Sequence, residues 1–371
     1  MLIGVPKEIK NNEYRVGMTP SGVHELVSHG HRVMVEKDAG SNIGLTDSMY
    51  QQAGAEIMMS ASEIFASAEL IIKVKEPQPE ERQMLRAGQS LFTYLHLAPD
   101  HQQTKELVES GANCIAYETV TDEFGGLPLL APMSEVAGRM AVQAGAHALE
   151  NTQGGMGTLL GGVPGVAPAK VIILGGGVVG LNAARMAMGL GADVTVIDRS
   201  LTRLKYLDEH YGPQLKTLYA TKELINRAVV RADLVIGAVL VPGATAPKLI
   251  TREMLATMKQ GSVLVDVAID QGGCFESSHA TTHDSPTYVE QGVIHYCVAN
   301  MPGGVARTST FALTNATLPF IIELANKGVK KALSDNTHLS QGLNIYQGKV
   351  TYKAVADAQG YPYFAVNSVF D

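Results

Sequence analysis

Residues 170–198 read KVIILGGGVVGLNAARMAMGLGADVTVID. The stretch opens on a short apolar run, Lys170–Leu174, then breaks into G-x-G-x-x-G at Gly175, Gly177 and Gly180. A helix-like segment follows, and a second apolar run ends in Asp198. Strand, glycine turn, helix and an acid about 20 residues further on are the parts of a dinucleotide-binding βαβ unit. Gly175 allows the tight turn, Gly177 lets a pyrophosphate approach the backbone, and Gly180 lets helix and strand pack closely. The helix N-terminus then faces the phosphates. Asp198 is suited to accept hydrogen bonds from the adenosine ribose and to repel a 2′-phosphate, which favours NAD over NADP. Arg199 and Arg203 soften that preference. The plain alternative is a tight turn with an ordinary capping acid.

Working outward, the same alternation of strand and helix fills the chain. Downstream lie TLYA, DLVIGAV, SVLVDVA and VIHYCVAN; upstream lie LIGV, RVMVE, AEIM, ELIIKVK, SLFTYLH and NCIAYE. Helices are expected between them, starting at Thr19-Pro20, Thr46, Ser60, near Glu80 and at Asp100. Such alternation reads as parallel sheets covered by helices. The expected fold class is therefore α/β, with two Rossmann-like doubly wound parallel-sheet domains and an interdomain cleft. The periodicity fails at EFGGLPLLAP (123–132). A long helical stretch, 134–150, leads into the glycine-rich loop NTQGGMGTLLGGVPGVAP (151–168), and another runs from Thr308 to Lys327. These features divide the chain into a substrate domain, 1–128 plus 306–371, and a dinucleotide-binding domain, 129–305.

Composition narrows the function. The chain has 371 residues, 46% hydrophobic, with net charge −7 and no concentration of Lys and Arg, so nucleic acid is not an expected partner. Uncharged runs such as LVIGAVLVPGATAP (from Leu234) are interrupted by proline and fall short of the roughly 18–20 residues of a membrane span. The start, MLIGVPKEIK, carries charges where a signal peptide is apolar. Cys114, Cys274 and Cys297 form no CxxC pair, which fits a reducing cytoplasm. No spacing of metal ligands is visible. Glycine is in excess, 38 residues, and it clusters in the phosphate turn, in the 151–168 loop and at helix ends.

Ligands of parallel sheets bind beyond the carboxyl ends of the strands, so ionisable residues just after strands are the candidates for chemistry. Arg15 lies in the polar loop after LIGV, which also carries Lys7 and Glu8. Lys75 ends ELIIKVK, His96 ends SLFTYL, and Asp270 follows SVLVDVAI. Arg and Lys suit a small carboxylate, Arg in bidentate fashion. His titrates near neutrality and suits proton exchange. Lys73 competes with Lys75 on the same strand face, and each of the four has a duller use in an ion pair or a cap.

Five blocks, GVPKEIKNNEYRVGMTP, EVAGRMAVQAGAHALE, KVIILGGGVVG, VDVAIDQGGCFE and HYCVANMPGGVARTST, resemble the L-alanine dehydrogenase family, from Met1 to about Tyr363. The same blocks look like the NAD-binding part of proton-translocating transhydrogenase, a relative that needs membrane helices in its own chain or in partner subunits, and none is read in this sequence. The resemblance implies NAD-dependent reversible oxidative deamination of L-alanine to pyruvate and ammonium, catalysed by a cytoplasmic homohexamer. It implies substrate binding by Arg15 and Lys75, with His96 and Asp270 as the acid/base residues. It points to cofactor contacts at Ser134, Val178, Val179, Arg203, Val239, Leu240, Val267, Ala268, Ile269, Asp270, Val298, Ala299, Asn300 and Met301, beside Gly175, Gly177, Gly180 and Asp198. Ala220 and His279 depart from the serine and arginine common at those positions. Two other readings stay open at this point, a 2-hydroxy-acid dehydrogenase and a non-catalytic NAD-binding subunit.

Overall fold

The computed structural model describes residues 1–239 and 246–370. By internal contacts the chain forms two compact units, Met1–Met133 with Val305–Asp371, and Ser134–Gly304. The strands before the second unit are β1 (Leu2–Val5), β2 (Arg32–Glu36), β3 (Glu56–Met58), β4 (Leu70–Ile72), β5 (Ser90–Thr93) and β6 (Asn113–Ala116). Within it are β7 (Lys170–Leu174), β8 (Asp193–Asp198), β9 (Leu215–Tyr219), β10 (Leu234–Gly237), β11 (Val263–Asp266), β12 (Thr287–Glu290) and β13 (Val293–Tyr296). After it come β14 (Leu343–Tyr346) and β15 (Lys349–Val350).

The first unit is built on a sheet of order β15-β14-β6-β5-β4-β1-β2-β3, and the second on β12-β13-β11-β10-β7-β8-β9. Strands β1–β6 pair in parallel, as do β7–β11 with β13. The α/β class and the two sheets are as expected. The sheets are mixed, however, rather than wholly parallel. β14 runs antiparallel to β6, β15 to β14, and β12 to β13. Both edge hairpins close through two-residue turns, Gln347-Gly348 and Gln291-Gly292, with positive φ at both positions (48° and 81°, 51° and 78°). That is the geometry in which a tight turn matches strand twist.

In the second unit each parallel strand buries both faces. Val171 and Ile173 of β7 join one apolar core with Leu234 and Ile236 of β10 and Val263 and Val265 of β11. The alternate residues Ile172, Leu174, Val235 and Leu264 join another, on the opposite face. Ala183, Ala184 and Ala187 of helix Val178–Gly189 cover the first face, and Ile225 and Val229 of helix Lys222–Val229 cover the second. Each fully buried aliphatic side chain contributes about 1.5–3 kcal/mol, so the two faces together hold the sheet between its helices. The first unit has a similar core of Ile71, Leu91, Cys114 and Ile345 against Ile64, Phe65 and Leu107.

Helix starts follow the local chemistry. Thr19, Thr46, Ser60 and Asp100 each accept a first-turn N–H, from Gly22, Met49, Glu63 and Gln103. Each such cap is worth about 1 kcal/mol. The long helices are Ala131–Ala148 and Ala306–Lys327, both starting a little before the stretches read from periodicity. Regular pairing in ELIIKVK and SLFTYLH ends earlier than that reading, at Ile72 and Thr93.

At Gly180 a Cβ would stand 1.8 Å from the carbonyl oxygen of Gly175, whose own φ is +101°. Gly180→Ala should therefore destabilise the protein by about 1–3 kcal/mol, read as a lower urea midpoint. An unchanged midpoint would show that the turn yields without strain. On β13, His295 is fully buried, with Nδ1 3.0 Å from the Val293 carbonyl and Nε2 2.7 Å from the Ser277 hydroxyl. Nδ1 therefore carries the proton and the neutral ring accepts from Ser277. Burial lowers its pKa to about 4. The unfolded chain takes up this proton near pH 6.5 and the folded chain only near pH 4, so its stabilisation is present above 6.5 and is lost as pH falls through that window. The loss is at most about 3 kcal/mol. His295→Asn should flatten the decline of Tm between pH 6.5 and 4, and a slope equal to wild type would refute this.

Candidate active site

In the second sheet the strand order reverses between β7 and β10, the place where ligands of open α/β sheets bind. Gly175–Gly180 leaves β7 and enters helix Val178–Gly189. The helix is capped by Gly177 without any side-chain hydrogen bond, and a Cβ at Gly177 would meet no heavy atom within 4 Å. Its first-turn N–H groups thus border open space. A pyrophosphate fits such a cradle, because the N–H groups and the helix dipole favour an anion there. Val178 is exposed, while Val179 and Gly180 are buried against the sheet.

Asp198 ends β8. One of its oxygens accepts the N–H of Gly176 at 2.7 Å, and the other accepts the N–H of Ser200 at 2.7 Å. From the following helix Arg203 donates to the Gly176 carbonyl and lies over the Tyr206 ring, 4.7 Å from its centroid. Gly176 is therefore held from both sides by opposite charges. The remaining expected cofactor residues follow neighbouring strands: Val239 after β10, Val267–Asp270 after β11, and Val298–Met301 after β13. Leu240 lies outside the described residues. Ser134 lies in helix Ala131–Ala148, which packs at Gly138 against Val179. Ala220 follows β9, its N–H bonded to the Asp198 carbonyl, and the His279 ring stacks on Tyr288 at 3.7 Å.

Asp270 is exposed on the short turn Ile269–Gln271. The turn is fastened from below by the buried Asp266, a residue the sequence reading passed over. Asp266 accepts from the N–H of Ala268 (3.0 Å), the N–H of Cys274 (2.9 Å) and the Ser278 hydroxyl (2.5 Å).

In the first unit Arg15, Lys75 and His96 follow β1, β4 and β5, three adjacent strands, again where the order reverses. Arg15 is buried. Glu13 grips it through Nε (2.7 Å) and Nη2 (2.5 Å), and Nη1 lies 3.1 Å from Met133 Sδ. Burial opposes its charge, but Glu13 more than compensates and raises the pKa further. A guanidinium held this way is permanently charged and fixed in place. Tyr94, also buried, stacks on His96, the ring planes 4° apart. Its hydroxyl donates to the Leu129 carbonyl at 2.5 Å.

His96 is exposed and has φ +50°, unusual for a residue with a Cβ. Glu118 stabilises that conformation by accepting the N–H of His96 at 2.6 Å and of Leu95 at 3.2 Å, and it lies 3.8 Å from the His96 Nδ1. The two lysines left open by the sequence part company here. Lys73 is fully buried and ion-paired to Glu8 (3.0 Å) and Glu81 (2.7 Å), whereas Lys75 is half-buried. A polar cavity of about 250 Å³ borders the same loop and is lined by Lys7, Lys10, Asn12, Glu13 and Arg15, but not by Lys75 or His96.

Sequence reasoning did not foresee Glu13, Tyr94, Glu118, Met133 or Asp266. Only Glu13, two residues from Arg15, left a readable signal. Among the described residues no helix is long and apolar enough to cross a membrane, and no group of three or more His, Cys, Asp or Glu could hold a metal ion.

Residues 4–137 match the family model "Alanine dehydrogenase/PNT, N-terminal domain", and residues 141–353 match "Alanine dehydrogenase/PNT, C-terminal domain". An alanine dehydrogenase of Halomonas elongata is 63% identical over 369 residues, covering 100% of both chains. A solved L-alanine dehydrogenase superimposes with a TM-score of 0.94 at 52% identity, covering 96% of this chain and 99% of that one. A transhydrogenase from Sinorhizobium meliloti follows at 0.82 and 25%, covering 95% and 100%. Two consecutive domain matches and full-length identity at this level agree with the strand-end geometry, and the chain belongs to the alanine dehydrogenase family.

Proposed function

We propose that the protein catalyses the reversible oxidative deamination of L-alanine: L-alanine, NAD and water give pyruvate, ammonium, NADH and a proton. The observation that carries this reading is the grouping of Arg15, Lys75 and His96 after β1, β4 and β5, three adjacent strands of one sheet. Family membership makes the protein an oxidoreductase that works with a nicotinamide dinucleotide on small molecules. NAD rather than NADP is supported by Asp198, whose carboxylate beside Gly176 would repel a 2′-phosphate.

The residues that would hold the dinucleotide are the Gly175–Gly180 turn with Val178 and Val179, then Asp198 and Arg203, Ser134, Val239 and Leu240, Val267–Asp270 and Val298–Met301. When bound there, the dinucleotide would supply the acceptor for a hydride from the substrate Cα. Arg15, charged and fixed by Glu13, pairs with the substrate carboxylate, and Lys75 supplies the second positive contact. His96 takes a proton from the reacting amine or the attacking water and returns it in the reverse direction. Its ring is oriented for this by Tyr94 and Glu118. Asp270, on a turn fixed by Asp266, is the second proton carrier. The substrate domain is then the unit that carries Arg15, Lys75 and His96, and the dinucleotide domain the unit that carries the glycine turn. A cytoplasmic homohexamer completes the reading, supported by the family resemblance and by three buried, unlinked thiols.

L-alanine with NAD should produce NADH absorbance, and NADH oxidation by pyruvate should require ammonium. Ammonium-independent oxidation would point to a 2-hydroxy-acid dehydrogenase and refute the assignment. His96→Ala should lower kcat by about 10²–10⁴-fold while NADH still binds, as followed by its fluorescence. Near-normal turnover would remove His96 from the acid/base role. Light scattering should give six times the chain mass, and a monomer would refute the hexamer.

A further inference from the structure

The two residues assigned to the substrate carboxylate come from separate stretches, Arg15 from the loop after β1 and Lys75 from the segment after β4. We infer that Glu8 is a positioning residue that registers these two stretches against each other. The inference rests on the reading that Arg15 and Lys75 hold the substrate.

One Glu8 oxygen accepts the N–H of Val74 at 2.6 Å and the N–H of Lys75 at 3.3 Å, and the other accepts Lys73 Nζ at 3.0 Å. Three successive residues, 73–75, thus converge on one carboxylate. Backbone pairing to the β5 segment runs on past Ile72, the N–H of Lys73 donating to the Phe92 carbonyl at 3.2 Å and that of Tyr94 to the Val74 carbonyl at 3.3 Å. The N–H groups of Val74 and Lys75, by contrast, are taken by a side chain from the Arg15 loop. Lys73 is held in turn by Glu81, whose other oxygen accepts the Gln78 N–H at 2.7 Å. Lys10 of the loop clasps Glu76, and the N–H of Lys7 donates to Glu36 at 2.8 Å. The loop is therefore tied to the Lys75 segment twice, by Glu8 and by Lys10. At its far end Glu13 grips Arg15.

The side chains of Glu8, Lys73 and Glu81 are at most 2% exposed. Burying three charges costs several kcal/mol each before their attraction is counted, and apolar residues of similar volume would hold these segments together at least as well. What an apolar contact lacks is direction. A carboxylate bonded to two N–H groups and an ammonium fixes the height and rotation of the Lys75 backbone, and a misplacement near 1 Å at a reacting centre can cost about 100-fold. The mechanism above gives Glu8 no proton to carry.

The test measures KM for L-alanine and pyruvate, kcat, NADH affinity and Tm in the full-length protein. Glu8→Ala should raise both KM values by about 10–100-fold, with kcat at saturation within about threefold of wild type and NADH affinity unchanged. Glu8→Gln keeps an acceptor for the two N–H groups and should raise KM by less. A loss confined to Tm or to kcat, with wild-type KM, overturns the proposal. Should Glu8→Ala fail to fold, Glu8→Gln combined with Lys73→Met removes the buried pair together. A raised KM in that variant supports the proposal, and a wild-type KM overturns it. Arg15→Lys and Lys75→Ala separate the two levels. If neither raises KM, the assignment of the substrate site fails; if both do and Glu8→Ala does not, only the role of Glu8 fails.

Discussion

A parallel strand cannot reach its neighbour by a tight turn; the chain has to cross over the sheet and come back, and the crossover is a helix. Everything functional in this molecule follows from that constraint. Helices on both faces go with apolar cores on both faces of β7, β10 and β11, and they deliver every strand-to-helix loop to the same edge. Where the strand order reverses, two neighbouring loops part in opposite directions and leave room for a ligand. Both sheets have such a reversal, between β4 and β1 and between β10 and β7, and the candidate residues follow the strands beside it.

The two edges use different chemistry. In the second unit the backbone is presented, with a helix start lacking a side-chain cap and glycines where any Cβ would collide or obstruct. In the first unit side chains are presented, and each is held by a carboxylate: Arg15 by Glu13, Lys75 by Glu8 through its backbone, His96 by Glu118. The division suits the tasks. A pyrophosphate is large, delocalised and recognised by many N–H groups. A small amino acid offers one carboxylate and one nitrogen, so charges must be aimed.

What could be read in the sequence divides along the same line. The buried runs of β7, β10 and β11 and the glycine spacing are local signals, and they placed the strand, the glycine turn and the helix after it. The hairpins β12–β13 and β14–β15 left weak signals, because their turns are Gln-Gly rather than the Asn-Gly or Asp-Gly that usually marks such a geometry. Their strands, moreover, are two to four residues long. The choice between Lys73 and Lys75 could not be made from alternation alone. It depends on Glu8, more than sixty residues earlier in the chain, and on Glu81 across a turn. Glu118 and Asp266 are invisible for the same reason, since each is defined by which N–H groups the fold brings to it.

The return of the chain to the first unit has a consequence for biosynthesis. β6 receives its second neighbour only when β14 emerges, more than two hundred residues after Ala116. At about 5–20 residues per second, the nascent first sheet waits on the order of ten to forty seconds with one side of β6 unpaired. During that interval Asn113–Ala116, wholly buried in the finished fold, offers an open edge to any strand nearby. The last hairpin, when it arrives, therefore closes that edge as well as completing the sheet.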